Sequence, residues 1–510
     1  MTKPFYVTTP IYYVNDEPHL GHAYCTVLAD ALARFARLRG CEVFFLTGTD
    51  EHGQKVQQAA QARGVDEQTH ADEMVERFRG LWKELHVDYQ DFIRTTESRH
   101  VRVVQAVLQR LWEQDEIYRG EYEGWYCVPD ERFWTEKDLV DGNCPDCDRP
   151  VQRLSESNYF FRMSAYQDWL IAYINDHPDF IRPETRRNEV LGFLQRPLGD
   201  LCISRPKARL SWGIPLPFDE DYVTYVWFDA LLNYVTAPGY LSDDARFERL
   251  WPHVMHLIGK DILTTHCVYW PTMLKATGLT PPHTVFAHGW WVIQGNKMSK
   301  SRGNVVKPLD LVQVYGVDAF RYFLLREMTL GRDADFSEEG LIHRYQGDLA
   351  NDLGNLLHRI VSMIGRYCDG RVPEPQDSKV NGTILREQCQ ATIPRVLSQV
   401  EQMRLNEALA NVMRCINKIN GYLEQTAPWS LMKQKGQQRK VETVLYTAAE
   451  ALRLASILLW PVLPERMVEL WRRLGWQPPE NLRDGLRWGS LQPGTEIVAG
   501  PPLFPKDVIQ

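Results

Sequence analysis

The apolar run Phe5-Tyr6-Val7 reads as a buried strand. It is followed by Ala23–Arg39, in which Leu28, Leu32, Phe35 and Ala36 fall at helical spacing and Gly40 stands where a C-cap is needed. A second run, Val43-Phe44-Phe45-Leu46, ends in Thr47-Gly48-Thr49-Asp50-Glu51-His52-Gly53. Strand, helix and strand in succession predict a βαβ unit with a ligand crevice at the strand ends. Amphipathic helices are expected over Glu73–Leu85 and Val101–Gln114, with a strand and turn over Asp88–Thr96 between them. From Tyr118 the texture changes to short aromatic pieces, so 116–225 reads as an insertion. Asp200–Arg205 and Ser211–Pro215 lead back from it to an aromatic helix start at Tyr225–Tyr234 and a strand at His256–Ile262. Leu311–Val314 and Asp318–Leu325 look helical, with Gly331–Ser337 after them. From 345 to 480 the period is helical almost throughout: Gly347–Tyr367, Thr383–Met403, Asn406–Thr426, Arg439–Leu459 and Pro464–Leu474. Helices in series with short loops predict a bundle.

The totals add limits. A chain of 510 residues accommodates three or four structural units. No run of eighteen apolar residues occurs, so no membrane span is expected. The first twenty residues lack the basic and apolar regions of a signal peptide, and the cysteines are mostly scattered singly, which reads as cytosolic. A net charge of −8 argues against coating nucleic acid, yet leaves room for a structured RNA held by local basic patches and shape. Arg182–Arg187, Lys433–Lys440 and Arg472-Arg473 are the basic clusters, each singly better read as a solvated face.

Three clusters carry chemistry. His19 and His22 lie three apart on one face at a helix start, and Gly21 between them leaves bare backbone for a flat base; together these suit a polyphosphate. Lys297-Met298-Ser299-Lys300-Ser301, followed by Arg302-Gly303-Asn304, places two ammonium groups three apart, able to clamp a transferring phosphoryl group. Cys127-Val128-Pro129-Asp130 and Cys144-Pro145-Asp146-Cys147 have the spacing of a zinc knuckle with Asp130 in a cysteine's place. A closed structural zinc site is favoured over a knuckle held by packing alone; a disulfide would leave Cys127 over. Asp261, at a strand end, is placed to hold a ribose hydroxyl.

His19-Leu20-Gly21-His22 and Lys297–Ser301 resemble the paired HIGH-type and KMSKS signatures of class I aminoacyl-tRNA synthetases. Ile11, Tyr13, Asp50, Trp227, Ala230, Leu231, Tyr234, Ile262, His266 and Trp270 together look like the methionine pocket of methionyl-tRNA synthetases. The likeness runs the length of the chain and includes Gly259-Lys260-Asp261-Ile262 and Ala427-Pro428-Trp429. It departs at Pro10–Tyr13, one of two common variants, at Asp130, and at Ala410, where some members carry an arginine.

The resemblance implies an α/β protein: a Rossmann-type parallel-sheet catalytic domain (1–115 and 226–290) split by a zinc-knuckle insertion (116–225). The signature loop and linker (291–345) and an all-α anticodon-binding bundle (346–510) follow. It implies ATP with Mg2+ and one structural zinc on Cys127, Asp130, Cys144 and Cys147. Catalysis is expected from His19, His22, Lys297 and Lys300, and ATP contacts from Gly21, Asp261 and Lys297 to Ser301. Methionine, ATP and tRNA(Met) would be the substrates, serving initiation and elongation. Anticodon contacts fall on Asn406 and Trp476 by position. The insertion is too short for the editing domain of the valyl, isoleucyl and leucyl relatives, and its cysteines lie outside the amino-acid pocket, unlike the cysteinyl relative's. No fifth domain is seen, which suggests a monomer. A small nucleotidylyltransferase would not need bundle or knuckle, and a non-enzymatic RNA-binding paralogue would have lost signature residues.

Overall fold

A computed structural model describes residues 3–128, 132–134, 136–145, 147–297, 306–376 and 382–506, leaving aside the side chains of 122, 123, 132, 133, 137, 154–156, 296 and 297. Seven parallel strands make the central sheet. Its order is Tyr12–Tyr13, Glu42–Asp50, Pro4–Thr8, Val254–Gly259, Thr284–His288 and Ile181–Arg182, with Asp91–Arg94 also pairing Glu42–Asp50. Parallel strands are covered on both faces, hence the continuous apolar runs: Tyr6, Val7, Phe45 and Leu46 are fully buried. Strand order reverses between Pro4–Thr8 and Val254–Gly259, which opens a crevice at their carboxyl ends.

The crossover helix runs Leu20–Leu38 and ends as its sequence demands. Gly40 takes φ +81°, Cys41 N–H reaches Ala36 O (3.0 Å), and Gly40 N–H reaches Arg37 O (2.9 Å). This double closure satisfies the last carbonyls and favours glycine at the left-handed position. Glu67–Glu84 and Ser98–Glu113 are the next long helices.

Ile117–Cys127 and Gln152–Phe161 form an antiparallel pair flanked by Arg132–Trp134 and Leu201–Cys202. The segment 116–225 is not wholly an excursion. Helices Gln167–Asp176 and Glu184–Phe193 bracket Ile181–Arg182, which rejoins the central sheet beside Thr284–His288. A strand of two residues is too short for its alternation to show in sequence.

After the sheet, Trp291–Ile293 pairs antiparallel with Asn296–Lys297 and parallel with Ala334–Asp335. Helices Pro308–Tyr315, Val317–Glu327 and Glu338–Arg344 complete this unit. The bundle follows as Asn355–Tyr367, Gly382–Glu401, Leu405–Thr426, Gln438–Leu459 and Pro464–Arg473. Val444–Leu459 is buried around its whole circumference and forms the bundle's centre. One apolar core runs without a break from the Leu20–Leu38 helix through Val317–Glu327 into the bundle. The chain's last segment folds back, with Val372 N–H on Thr495 O (2.8 Å) and Tyr345 Oη–H on Pro505 O (2.8 Å).

Candidate active site

Past the carboxyl end of Pro4–Thr8 the chain enters its first helix at His19, an extended N-cap. His19 Nδ1 accepts the Gly21 N–H (3.1 Å), and His22 Nδ1 accepts the His19 N–H (3.1 Å). A backbone N–H only donates, so neither Nδ1 is protonated, and each neutral ring carries its hydrogen on Nε2. The rings stack 3.9 Å apart. Burial, and then the neighbouring His19, hold His22 well below the ordinary imidazole range, so it is neutral at pH 7. A Cβ on Gly21 would stand 3.0 Å from the His19 ring, which keeps this backbone bare. Oriented Nε2–H donors at a helix N-terminus are suited to phosphate oxygens.

The residues expected to hold methionine form an aromatic cluster. Leu231, Tyr234 and Trp270 are buried in one apolar cluster, with Ile11, Tyr13, Trp227 and Ile262 half-buried against it. Val226–Leu231 also carries the buried Ala230, and Asp50 sits at the end of its strand in register with Tyr13. His266 Nδ1 lies 3.0 Å from Ile262 O, so this nitrogen donates and Nε2 accepts the Tyr234 hydroxyl (2.9 Å). Burial pushes His266 down to about 4, and His256, bracketed by Thr8 (2.9 Å) and the Trp270 indole (3.2 Å), is also held well below its usual value by burial. Burial raises the Tyr234 hydroxyl. These buried rings are therefore uncharged near neutrality. Such a cluster suits a neutral, polarizable side chain, with an acid, Asp50, near its edge.

Sequence reasoning missed the supports of this pocket. Asp229, fully buried between Phe228 and Ala230, receives His52 Nδ1 (2.6 Å) and His100 Nε2 (2.7 Å). Burial works to raise its pKa, but the two imidazoles prevail and hold it low. Glu51, also fully buried, takes Arg94 in a bidentate pair (2.7 and 3.0 Å). Both fix the loop after Asp50. A carboxylate inside an aromatic helix start was the available signal for Asp229.

A family model described as "tRNA synthetases class I (M)" matches residues 5–154 and 149–361, and one described as "Anticodon-binding domain of tRNA ligase" matches 383–485. A methionine–tRNA ligase of Caldanaerobacter subterraneus is 48% identical over 99% of this chain and 79% of its own length. That of Thermotoga maritima is 46% identical over 98% and 80%. The structure of Mycobacterium tuberculosis methionyl-tRNA synthetase in complex with methionyl-adenylate superposes with a TM-score of 0.95 at 41% identity, covering 99% of this chain and all of that one. The chain belongs to the methionine–tRNA ligases.

Of the second signature, Met298, Ser299, Lys300 and Ser301 lie outside the described residues, and so does the Lys297 side chain. The segment that leads into the signature is described, and is pinned by residues sequence reasoning gave no role. Asp335 accepts Gln294 N–H (2.8 Å) and Gly295 N–H (3.2 Å), and Asp333 accepts Trp290 N–H (2.9 Å) and Lys260 Nζ (2.7 Å). Exposed Asp261 takes the Trp290 indole N–H (3.1 Å). Gly289 makes this crossing feasible, since a Cβ there would stand 2.0 Å from Arg332 O.

Cys127, Cys144 and Cys147 bring their sulfurs within 4.8 Å of one another, with Cys127 Sγ and Cys147 Sγ 3.5 Å apart. Thiolates at 2.3 Å around tetrahedral zinc lie about 3.8 Å apart, so the donor set fits the ion. Asp130 lies outside the described residues. Protein prepared without chelator is expected to carry about one zinc per chain. Asp130→Ala should weaken its retention and Asp130→Cys tighten it, as a softer donor would. Metal analysis that finds no zinc in such protein contradicts the assignment.

At the far end lie the two residues expected at the anticodon. Trp476 is only 7% exposed, edge-on to Trp471 at 5.2 Å, with the Arg453 guanidinium 4.8 Å away. It packs against the bundle. Asn406 is half-buried and donates to Thr329 Oγ1 (3.3 Å), at the junction with the linker. A polar cavity of about 500 Å³ lies elsewhere, lined by Asn351, Asn355, Arg359, Asn417, Asn420 and Glu424 among others. At its edge the Arg359 guanidinium stands 5.5 Å over the half-buried Trp429 ring.

Proposed function

We propose that this chain activates L-methionine with MgATP to methionyl-adenylate and then charges tRNA(Met). The observation that carries the reading is the paired His19–His22 cap with Nε2–H donors at the helix N-terminus, and the uncharged aromatic cluster of Tyr234, His266 and Trp270 completes it. The methionine carboxylate attacks the α-phosphate in line and pyrophosphate leaves; no enzyme nucleophile is needed, because positioning and charge stabilisation supply the catalysis. His19 and His22 donate to phosphate oxygens. Gly21 admits the base and Asp261 holds the ribose. Lys297 and Lys300, with Met298, Ser299 and Ser301 shaping the loop, neutralise charge on the departing pyrophosphate. Magnesium, entering with ATP, shields the same charge.

Methionine's thioether lies among Tyr13, Trp227, Tyr234, His266 and Trp270, over Ile11, Ala230, Leu231 and Ile262, and Asp50 receives the α-ammonium. In the second step the 2′-hydroxyl of the terminal tRNA adenosine attacks the adenylate carbonyl and AMP leaves. Cys127, Cys144 and Cys147, with Asp130, would hold a structural zinc that would stabilise the insertion's fold.

For the tRNA we propose the Asn355–Arg359–Asn417–Asn420 cavity as the anticodon reader, with Trp429 as the stacking surface. Amides pair with splayed base edges and aromatic faces stack on them. Stacking is worth about 1–3 kcal/mol per base, so Trp429→Ala should lower aminoacylation efficiency roughly 10–100-fold while leaving pyrophosphate exchange intact. Trp476→Ala should instead lower thermal stability and leave discrimination against a swapped CAU anticodon unchanged. If Trp476→Ala loses that discrimination and Trp429→Ala keeps it, the placement is wrong.

A further inference from the structure

Arg321, on the Val317–Glu327 helix, is completely buried, and no step proposed above uses it. Its guanidinium joins three segments distant in sequence. Nη2 donates to Asp30 Oδ2 (2.6 Å) on the helix that His19 opens, and Nη1 to Leu85 O (2.9 Å). Towards the bundle, Nη2 also donates to Pro461 O (2.9 Å) and Nε to Val462 O (3.0 Å). Those two carbonyls belong to the turn between helices Gln438–Leu459 and Pro464–Arg473. The turn is gripped twice more. One helical turn before Arg321, the buried Asp318 accepts Arg466 N–H (2.6 Å) at the start of the latter helix. From the other side, the Arg34 guanidinium stands 5.0 Å over Trp460 while Arg34 Nε donates to the same Asp30 Oδ2 (2.8 Å).

A planar guanidinium with donors in a fixed fork can satisfy one carboxylate and three carbonyls together, which lysine's point charge cannot. A buried charge of this kind costs desolvation, and on stability alone an apolar side chain would serve as well. What the fork adds is geometry, because it sets the bundle's turn and the catalytic helix in one register. We infer that Arg321 is a positioning residue for the transfer step: it docks the tRNA-holding bundle onto the helix bearing His19 and His22, so that a bound tRNA presents its acceptor end to the adenylate. The inference rests on the bundle reading given under the proposed function.

The test uses full-length Arg321→Lys, which keeps a charge for Asp30 but cannot span to the bundle carbonyls, and Asp318→Ala, which removes one bundle-side bond without touching Asp30. Methionine-dependent pyrophosphate exchange, tRNA dissociation constants and single-turnover transfer from preformed adenylate are measured for each. Because a displacement of about 1 Å at a reacting centre can cost 10²-fold, Arg321→Lys should slow transfer roughly 10–100-fold, with exchange and tRNA binding within about threefold of wild type. Asp318→Ala should shift the same step by a smaller factor. Exchange and transfer falling together would show that the charge only holds the fold, and unchanged transfer in both variants would show that the docking is not needed; either overturns the inference. Failure of the bundle reading appears separately, as wild-type tRNA binding that ignores anticodon exchange.

Discussion

His22→Ala is expected to slow methionyl-adenylate formation by roughly 10²–10³-fold while methionine affinity changes little. The factor is that of one oriented donor removed from a developing charge. His22 has two tasks: Nδ1 completes the helix cap on His19 N–H, and this leaves the hydrogen on Nε2 for phosphate. Loss of a cap costs about 0.5–2 kcal/mol of stability. The two losses therefore separate, with a modest fall in melting temperature and a large fall in rate. The lowered His22 pKa adds a pH criterion. An ordinary histidine titrates near 6.5, but His22 stays neutral below that value, so the wild-type rate should show no inflection from His22 there. Single-turnover rates across pH 5.5–8 check both points. A variant that forms adenylate at the wild-type rate would remove His22 from the phosphate site.

Lys300→Ala should lower adenylate formation by a comparable factor, roughly 10²–10³, through loss of one cation that stabilises the departing pyrophosphate. Methionine binding should hardly move, because none of the residues assigned to methionine, Tyr234, His266 and Trp270 among them, belongs to this signature. Rapid-quench measurement of the first step, together with equilibrium binding of methionine, separates the two effects. Untouched single-turnover rates with collapsed methionine affinity would show the role to be misassigned.

Much of this arrangement is legible in the chain because long amphipathic periods are redundant. Asn406–Thr426 and Arg439–Leu459 are read from sequence to within a residue of the helices Leu405–Thr426 and Gln438–Leu459. Gly40 declares its C-cap because only a left-handed position closes that helix. Interactions between distant residues are less visible. Ile181–Arg182 is a strand only because Val285 and Phe286 lie beside it. Asp229 is an unremarkable acid until His52 and His100 converge on it. Trp476 is placed at the anticodon by family position alone; Gly485, whose Cβ would stand 2.9 Å from the indole, and Arg453 enclose it from elsewhere in the chain. Trp429 is marked by family likeness but not by its pattern, and its relation to the cavity emerges only in three dimensions.

The central claim is that the uncharged pocket selects methionine for reaction with ATP. Exchange of labelled pyrophosphate into ATP, run with each of the twenty amino acids on the purified chain, tests it most directly. Methionine alone of the twenty should support rapid exchange at saturating ATP, and norleucine, which replaces the sulfur by a methylene, should support it at reduced efficiency, since a sulfur–aromatic contact is worth about 0.3–1.5 kcal/mol. Exchange that is driven equally by leucine or cysteine, or that proceeds without any amino acid, would contradict it.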